Sequence, residues 1–190
     1  TEHAIDSTNG RWPYWVTIGN VIKRLYEDFN DTPGGINGFV VAGGTDTMAH
    51  LTAALKYIMP NVGRPVITTG AQTPIFKPGT DAEANIYFSL GVAAADLSGV
   101  HQAFGNVLRE GLHVHKVRDR NFMAFDTPAG YQLGEFNSEG IVLFDNAPRR
   151  NRYVTGRELE FYPKFRDGVK VVRLSPGTRS ASILHDALDP

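Results

Sequence analysis

The chain has 190 residues, 42% of them hydrophobic and 21% charged, with a formal net charge of -1. That balance suits a globular protein of one domain and part of another. Acidic and basic residues are interspersed, so no basic stripe points to nucleic acid, no cationic amphipathic face points to a membrane surface, and no apolar run reaches transmembrane length. The lack of cysteine removes disulfides, Cys-ligated zinc and thiol nucleophiles. The expected partner is a small molecule or another copy of the chain, and the expected compartment the cytoplasm.

Pro13 suits the first turn of a helix, and Trp12, Trp15, Ile18, Ile22, Leu25, Tyr26 and Phe29 recur at helical spacing as far as the breakers at 31–35. The apolar run 38–42 is rich in β-formers and ends in Gly43-Gly44, after which Met48, Leu51, Leu55 and Ile58 take up helical spacing again. This reads as strand, turn and helix. The unit repeats with a buried-type strand at 65–69, a turn-rich loop at 70–79, and Thr80-Asp81-Ala82-Glu83 in the form of a capping box. The helix it opens is expected to bury Ala82, Ile86, Leu90, Ala93, Ala94 and Leu97. Segments 100–108 and 112–117 are expected to pair as strands joined at Arg109-Glu110-Gly111, and a strand over 140–144 follows a loop.

Strands alternating with helices predict an α/β fold, a doubly wound, Rossmann-like sheet of flavodoxin type, mostly parallel and with helices on both faces. The main domain is expected at 1–145. Residues 146–167 read as a linker, and 168–190 as the truncated start of a second, smaller α/β domain.

Open parallel sheets bind ligands beyond the carboxyl ends of their strands, which directs attention to the loops after Ala42 and Thr69. In Gly43-Gly44-Thr45-Asp46-Thr47 the glycines admit a ligand close to the backbone, and Thr45 and Asp46 stand where the next helix presents free N–H groups and positive dipole. A cap by Thr45, Asp46 or Thr47 explains the same five residues, and on them alone the cap is the better reading. His113 and His115 alternate along one strand, yet no third metal ligand lies close in sequence, so structural histidines are expected. No phosphate-loop pattern and no dinucleotide fingerprint follows a strand.

Taken together, these segments resemble the L-asparaginase family, in its bacterial type I and archaeal form. That family carries His-Gly-Thr-Asp-Thr-Met at the end of a strand, against Gly43-Gly44-Thr45-Asp46-Thr47-Met48 here. An Asp-Ser-Ser segment before a Trp-bearing helix is matched by Asp6-Ser7-Thr8 and Trp15, and Thr-Gly-Ser/Ala-Gln-x-Pro by Thr69-Gly70-Ala71-Gln72-Thr73-Pro74. Asp-Ala-x-x-Asn is matched by Asp81 to Asn85, and a strand, turn and lysine by Gly105 to Lys116 with Ala124 to Pro128 beyond.

The resemblance implies hydrolysis of L-asparagine to L-aspartate and ammonia through a threonine acyl-enzyme, with Thr45, Asp46 and Lys116 as a triad and no metal or cofactor. It further implies that Asp46 binds the substrate's α-ammonium group, that Ser7 and Thr8 bind the α-carboxylate, and that Gly44, Thr45, Ala71 and Gln72 line the site. A threonine needs a nearby base, and lysine serves as one only when uncharged, a state that burial favours and a neighbouring aspartate opposes. For Asp81 and Asn85, capping and packing are expected. Two departures stand out: Gly43 replaces the family's histidine, and no residue before Ile5 matches the Gly-Gly-Thr-Ile turn whose threonine is the family's primary nucleophile. The chain is therefore read as part of a longer enzyme, inactive alone, that pairs as a homodimer or homotetramer when complete. The alternatives are a non-catalytic amino-acid-binding protein on the same fold, or an amidotransferase subunit supplying ammonia to a tRNA-linked substrate.

Overall fold

The computed structural model describes residues 7–29, 35–150 and 158–166, together with 169, 171 and 176. A 3-10 turn (Ser7–Asn9) leads into helix α1 (Trp12–Phe29), with Pro13 in its first turn as expected. Strand β1 (Phe39–Gly43), helix α2 (Met48–Ile58), strand β2 (Pro65–Gly70), helix α3 (Ala82–Ala94) and strand β3 (Gly99–Phe104) follow in strict alternation. β1, β2 and β3 are parallel neighbours, Phe39 standing opposite Val66 and Gly43 opposite Gly70. After β4 (Val107–Glu110), a separate ribbon joins β5 (His115–Lys116) to β6 (Phe125–Asp126). Strands β4, β7 (Gln132–Asn137) and β8 (Gly140–Leu143) extend the main sheet antiparallel in the order β1-β2-β3-β4-β7-β8.

The α/β reading with helices on both faces holds. Successive strand residues point to opposite sides, and Val66 packs with Ile22, Leu51, Leu55 and Ile58 of α1 and α2, while Ile67 packs with Phe88, Val92 and Ala93 of α3. The site-bearing half is the parallel one. A third cluster of Met48, Phe104, Val114, Ala124 and Phe125 seats the β5–β6 ribbon against the start of α2. Within the expected linker, residues 158–166 lie against the first core: Leu159, Phe161 and Phe165 pack onto it, and the Tyr162 amide donates to the Ile58 carbonyl at 2.8 Å. The breakers at 31–34 and nearly all of 168–190 fall outside the described residues.

Three local expectations differ from what is found. The hairpin turns at Gly105-Asn106 rather than at Arg109-Glu110-Gly111, because both residues take positive φ, 58° and 62°, as a tight two-residue turn of matching twist demands. Arg109 is instead buried in β4, donating to the carbonyls of Phe104 (2.9 Å), Val107 (3.3 Å) and Phe125 (2.9 Å), and so ties the main sheet to the ribbon. Burial lowers its pKa to about 10, against the pull of Asp126, which leaves it charged at neutral pH.

Of the residues expected to be buried by helix α3, Ala82, Ala93 and Leu97 are, Ile86 is half-buried, and Leu90 and Ala94 are exposed, so the inward face is turned from the one expected. Asn85, Phe88, Ser89 and Val92 are buried and Leu90 is 56% exposed. Polar residues can occupy that face because they are satisfied there: Ser89 donates to the Asn85 carbonyl at 2.7 Å, and Asn85 to the Gly70 carbonyl at 2.9 Å. The capping box is not formed as expected either. Thr80 accepts from the Ala82 amide at 3.0 Å and donates to the Thr73 carbonyl at 2.8 Å, and the Asp81 carboxylate makes no cap bond.

Candidate active site

The tips of β1 and β2 approach so closely that a side chain is impossible at one of them. A Cβ on Gly70 would stand 1.9 Å from the Gly43 carbonyl oxygen, whereas one on Gly43 would meet nothing within 4 Å. Gly43 therefore sits where a larger side chain has room, and its departure from the family pattern leaves the turn in place. From this tip the chain passes Gly44 and enters α2, whose first residue, Met48, is anchored in the core. Thr45 is thereby held buried, and Asp46 half-exposed, at the edge of the sheet.

Lys116 arrives from the opposite direction. Its strand β5 pairs with β6, Lys116 opposite Phe125, and Phe125 stacks edge-on against Phe104 of β3 with ring centres 5.0 Å apart. With its backbone fixed in this way, Lys116 Nζ reaches Asp46 Oδ1 at 2.6 Å and Thr45 Oγ1 at 3.0 Å. The three residues read as a triad are thus brought into direct contact. Thr45 Oγ1 in turn donates to Gln72 Oε1 at 2.8 Å, so the loop after β2 joins the same cluster. Both hydrogen bonds run from Lys116 Nζ as donor, and one of them ends on a carboxylate. Beside the pair opens a cleft of about 440 Å³, lined by Asp46, His50, Leu112, Val114, His115 and Lys116 among others. A cavity of that size takes a small molecule.

The remaining expected residues are placed as follows. Ala71 is half-buried next to Gln72, and Gly44 is exposed beside Thr45. Ser7 and Thr8 share the 3-10 turn before α1, with Thr8 exposed, and Asp6 lies outside the described residues. His113 is committed to structure: its Nδ1 lies 2.8 Å from Glu110, and its ring stacks on Tyr131 with centres 3.5 Å apart.

The Asp81 carboxylate, expected to cap α3, instead organises the site loop. It accepts from the amides of Gln72 (3.0 Å to each oxygen) and Thr73 (2.9 Å), and from Asn85 Nδ2 (3.0 Å). Asn85 completes the frame by accepting from the Gly105 amide at 3.0 Å. The signal is present as an Asp and an Asn four residues apart, one turn of helix, which puts both on the face toward the loop. Replacing Asp81 by alanine strips an acceptor from two loop amides and from Asn85. Urea unfolding is expected to show a loss of about 3 kcal/mol, the scale of hydrogen bonds to a charged group, with Asp81→Asn in between. Equal midpoints for wild type and Asp81→Ala would remove the carboxylate from this role.

The sequence and the fold are similar to those of known proteins. A family model described as Asparaginase, N-terminal, matches residues 1–149. The chain belongs to the asparaginase family. An L-asparaginase of Thermococcus kodakarensis is 30% identical over 173 residues, covering 91% of this chain and 49% of the relative. A glutamyl-tRNA(Gln) amidotransferase subunit of Pyrococcus abyssi is 28% identical over 177 residues, covering 90% of this chain and 39% of the relative. Among solved structures, L-asparaginase I from Vibrio cholerae superposes with a TM-score of 0.84 at 29% identity, covering 99% of this chain and 54% of that one. This asparaginase-family chain therefore spans about half the length of these Thermococcus and Vibrio asparaginases. Among the described residues, no helix is long and apolar enough to cross a membrane.

Proposed function

We propose that the protein carrying this chain hydrolyses the side-chain amide of L-asparagine, giving L-aspartate and ammonia, with Thr45, Lys116 and Asp46 as its proton-handling triad. The observation that carries this reading is the contact of Lys116 Nζ with both Thr45 Oγ1 and Asp46 Oδ1 across 70 or more residues of sequence. Uncharged Lys116 takes the Thr45 proton, the hydroxyl turning its hydrogen from Gln72 Oε1 toward Nζ, and a threonine oxygen attacks the amide carbonyl. The C–N bond breaks, and nitrogen leaves as ammonia with the proton returned from lysine. Water then cleaves the threonine ester to release aspartate. Where the family's preceding Gly-Gly-Thr-Ile threonine makes the first attack, Thr45 and Lys116 serve the water of the second step; either scheme needs the Thr45–Lys116 pair.

The exposed Asp46 carboxylate suits a substrate α-ammonium group, and Ser7 and Thr8 are assigned the α-carboxylate, which makes the ligand a free amino acid. Self-association as a dimer or tetramer belongs to the same proposal and is read by light scattering. The resemblance to an amidotransferase subunit supports a second reading, in which the ammonia passes to a tRNA-linked substrate on a partner. The deciding assay measures ammonia from free asparagine and free glutamine with no partner present. Release from asparagine, lost in Thr45→Val, is the expected result; binding of asparagine without release would leave an amino-acid-binding protein instead.

A further inference from the structure

Gln72 is held at both ends of its side-chain amide, and the polarity of every bond is fixed by chemistry. Its Nε2 lies 2.8 Å from the Asp119 carbonyl oxygen and 3.2 Å from that of Asn121. Carbonyls accept and never donate, so the amide nitrogen must face them and the amide oxygen must face Thr45. Lys116 donates to Thr45 Oγ1, so the single hydroxyl hydrogen of Thr45 is directed to Gln72 Oε1, 2.8 Å away. The result is one directed chain, from Lys116 through Thr45 to Gln72 and on to the backbone of the loop between β5 and β6. The loop has its own ties: the Met123 amide donates to Asn121 Oδ1 at 2.7 Å, Arg118 donates to the Met123 carbonyl at 3.0 Å, and the Val117 amide donates to the Ala124 carbonyl at 2.8 Å.

We propose that Gln72 is a positioning residue that fixes the Thr45 hydroxyl beside Lys116 and makes that placement depend on the loop 118–123. The proposal rests on Thr45 and Lys116 being the catalytic pair, and adds to it a third residue and a remote segment. Without the Gln72 oxygen, the Thr45 hydroxyl keeps one partner and can swing between rotamers, and such misplacement of a reacting group is costly in rate. Because the carbonyls at 119 and 121 hold Gln72 in its turn, loosening the loop reaches Thr45 through Gln72.

The test is a double-mutant cycle on kcat and KM for ammonia release by the protein carrying this chain. Gln72→Met keeps the side chain's length and removes both polar atoms. Asn121→Ala removes the bond to Met123 and leaves Gln72 intact. Each is expected to lower kcat, Gln72→Met by about tenfold and Asn121→Ala by about threefold, the scale of one hydrogen bond, with KM nearly unchanged. The double variant is expected to be no slower than Gln72→Met, since both act on one path. A kcat that is unchanged or raised in Gln72→Met overturns the proposal, as does a double variant whose losses multiply. If Gln72→Met does not fold, Asn121→Ala carries the test, and wild-type kcat in it overturns the link. Failure of the underlying reading shows differently: Thr45→Val and Lys116→Met would then keep their activity.

Discussion

Lys116→Met is expected to reduce ammonia release from asparagine by about a thousandfold while leaving the unfolding midpoint close to that of wild type. Methionine keeps most of the length of the lysine stem and removes the group that contacts both Thr45 Oγ1 and Asp46 Oδ1. Stability is little affected because the half-exposed Asp46 carboxylate is open to water where the Lys116 amine is withdrawn, and methionine refills most of the largely buried path of the lysine stem. Lys116→Arg separates charge from proton transfer. An arginine keeps the positive charge and the hydrogen bonds to Asp46 and Thr45, and it cannot be deprotonated at any working pH. It is therefore expected to be as slow as Lys116→Met. Substantial turnover in Lys116→Arg would show that the residue acts as a positive charge and not as a base, and would sink the triad as a proton relay.

The side chains of the proposed site are legible in the sequence because each belongs to a short ordered string: Gly43 to Met48, Thr69 to Pro74, and Lys116 before Ala124 to Pro128. The meeting of the first two strings follows from strand ends alone, since β1 and β2 are parallel neighbours whose following loops share one edge. What cannot be read is whatever depends on backbone atoms. Gln72 is fixed by the carbonyls of residues 119 and 121, and every residue has a carbonyl, so no pattern marks those two. An aspartate before Ala82 looks like a cap for its own helix, and the actual partners of Asp81 are amides eight and nine residues earlier. The inward face of α3 is hidden for a related reason. Counting apolar positions favours Ile86 and Leu90, while Asn85 and Ser89 are buried because the tip of β2 and the helix backbone supply their partners. Gly105-Asn106 is a turn signal in its own right, outweighed in the sequence by the charged run after it.

Acid is expected to weaken the fold through His101, in a window set by one buried ring. His101 lies in β3 with no exposed surface, and its Nε2 is 2.8 Å from the Ser98 carbonyl. Burial first, and repulsion from Lys56 second, lower its pKa from 6.5 to about 4, while the Ser98 carbonyl and Glu110 pull the other way. The sign follows from where protons bind. Below pH 6.5 the unfolded chain takes up a proton that the folded chain refuses, so stability is full above that pH and falls as pH drops toward 4. Over the whole window the loss is about 3 kcal/mol, and about 2 kcal/mol of it is reached by pH 5. Glu110 behaves as a separate, lower step. Burial opposes its ionisation, yet Lys56 at 2.7 Å and His113 at 2.8 Å hold its pKa at about 2, so its contribution is lost only as pH falls from 4.5 toward 2. Urea midpoints at pH 7.5 and pH 5 read the His101 step without the Glu110 step. Wild type should fall between the two, and His101→Gln, which keeps a donor for the Ser98 carbonyl and cannot titrate, should be nearly level. If wild type is equally stable at both, or His101→Gln loses as much, the neutral buried histidine is not the origin of the acid sensitivity.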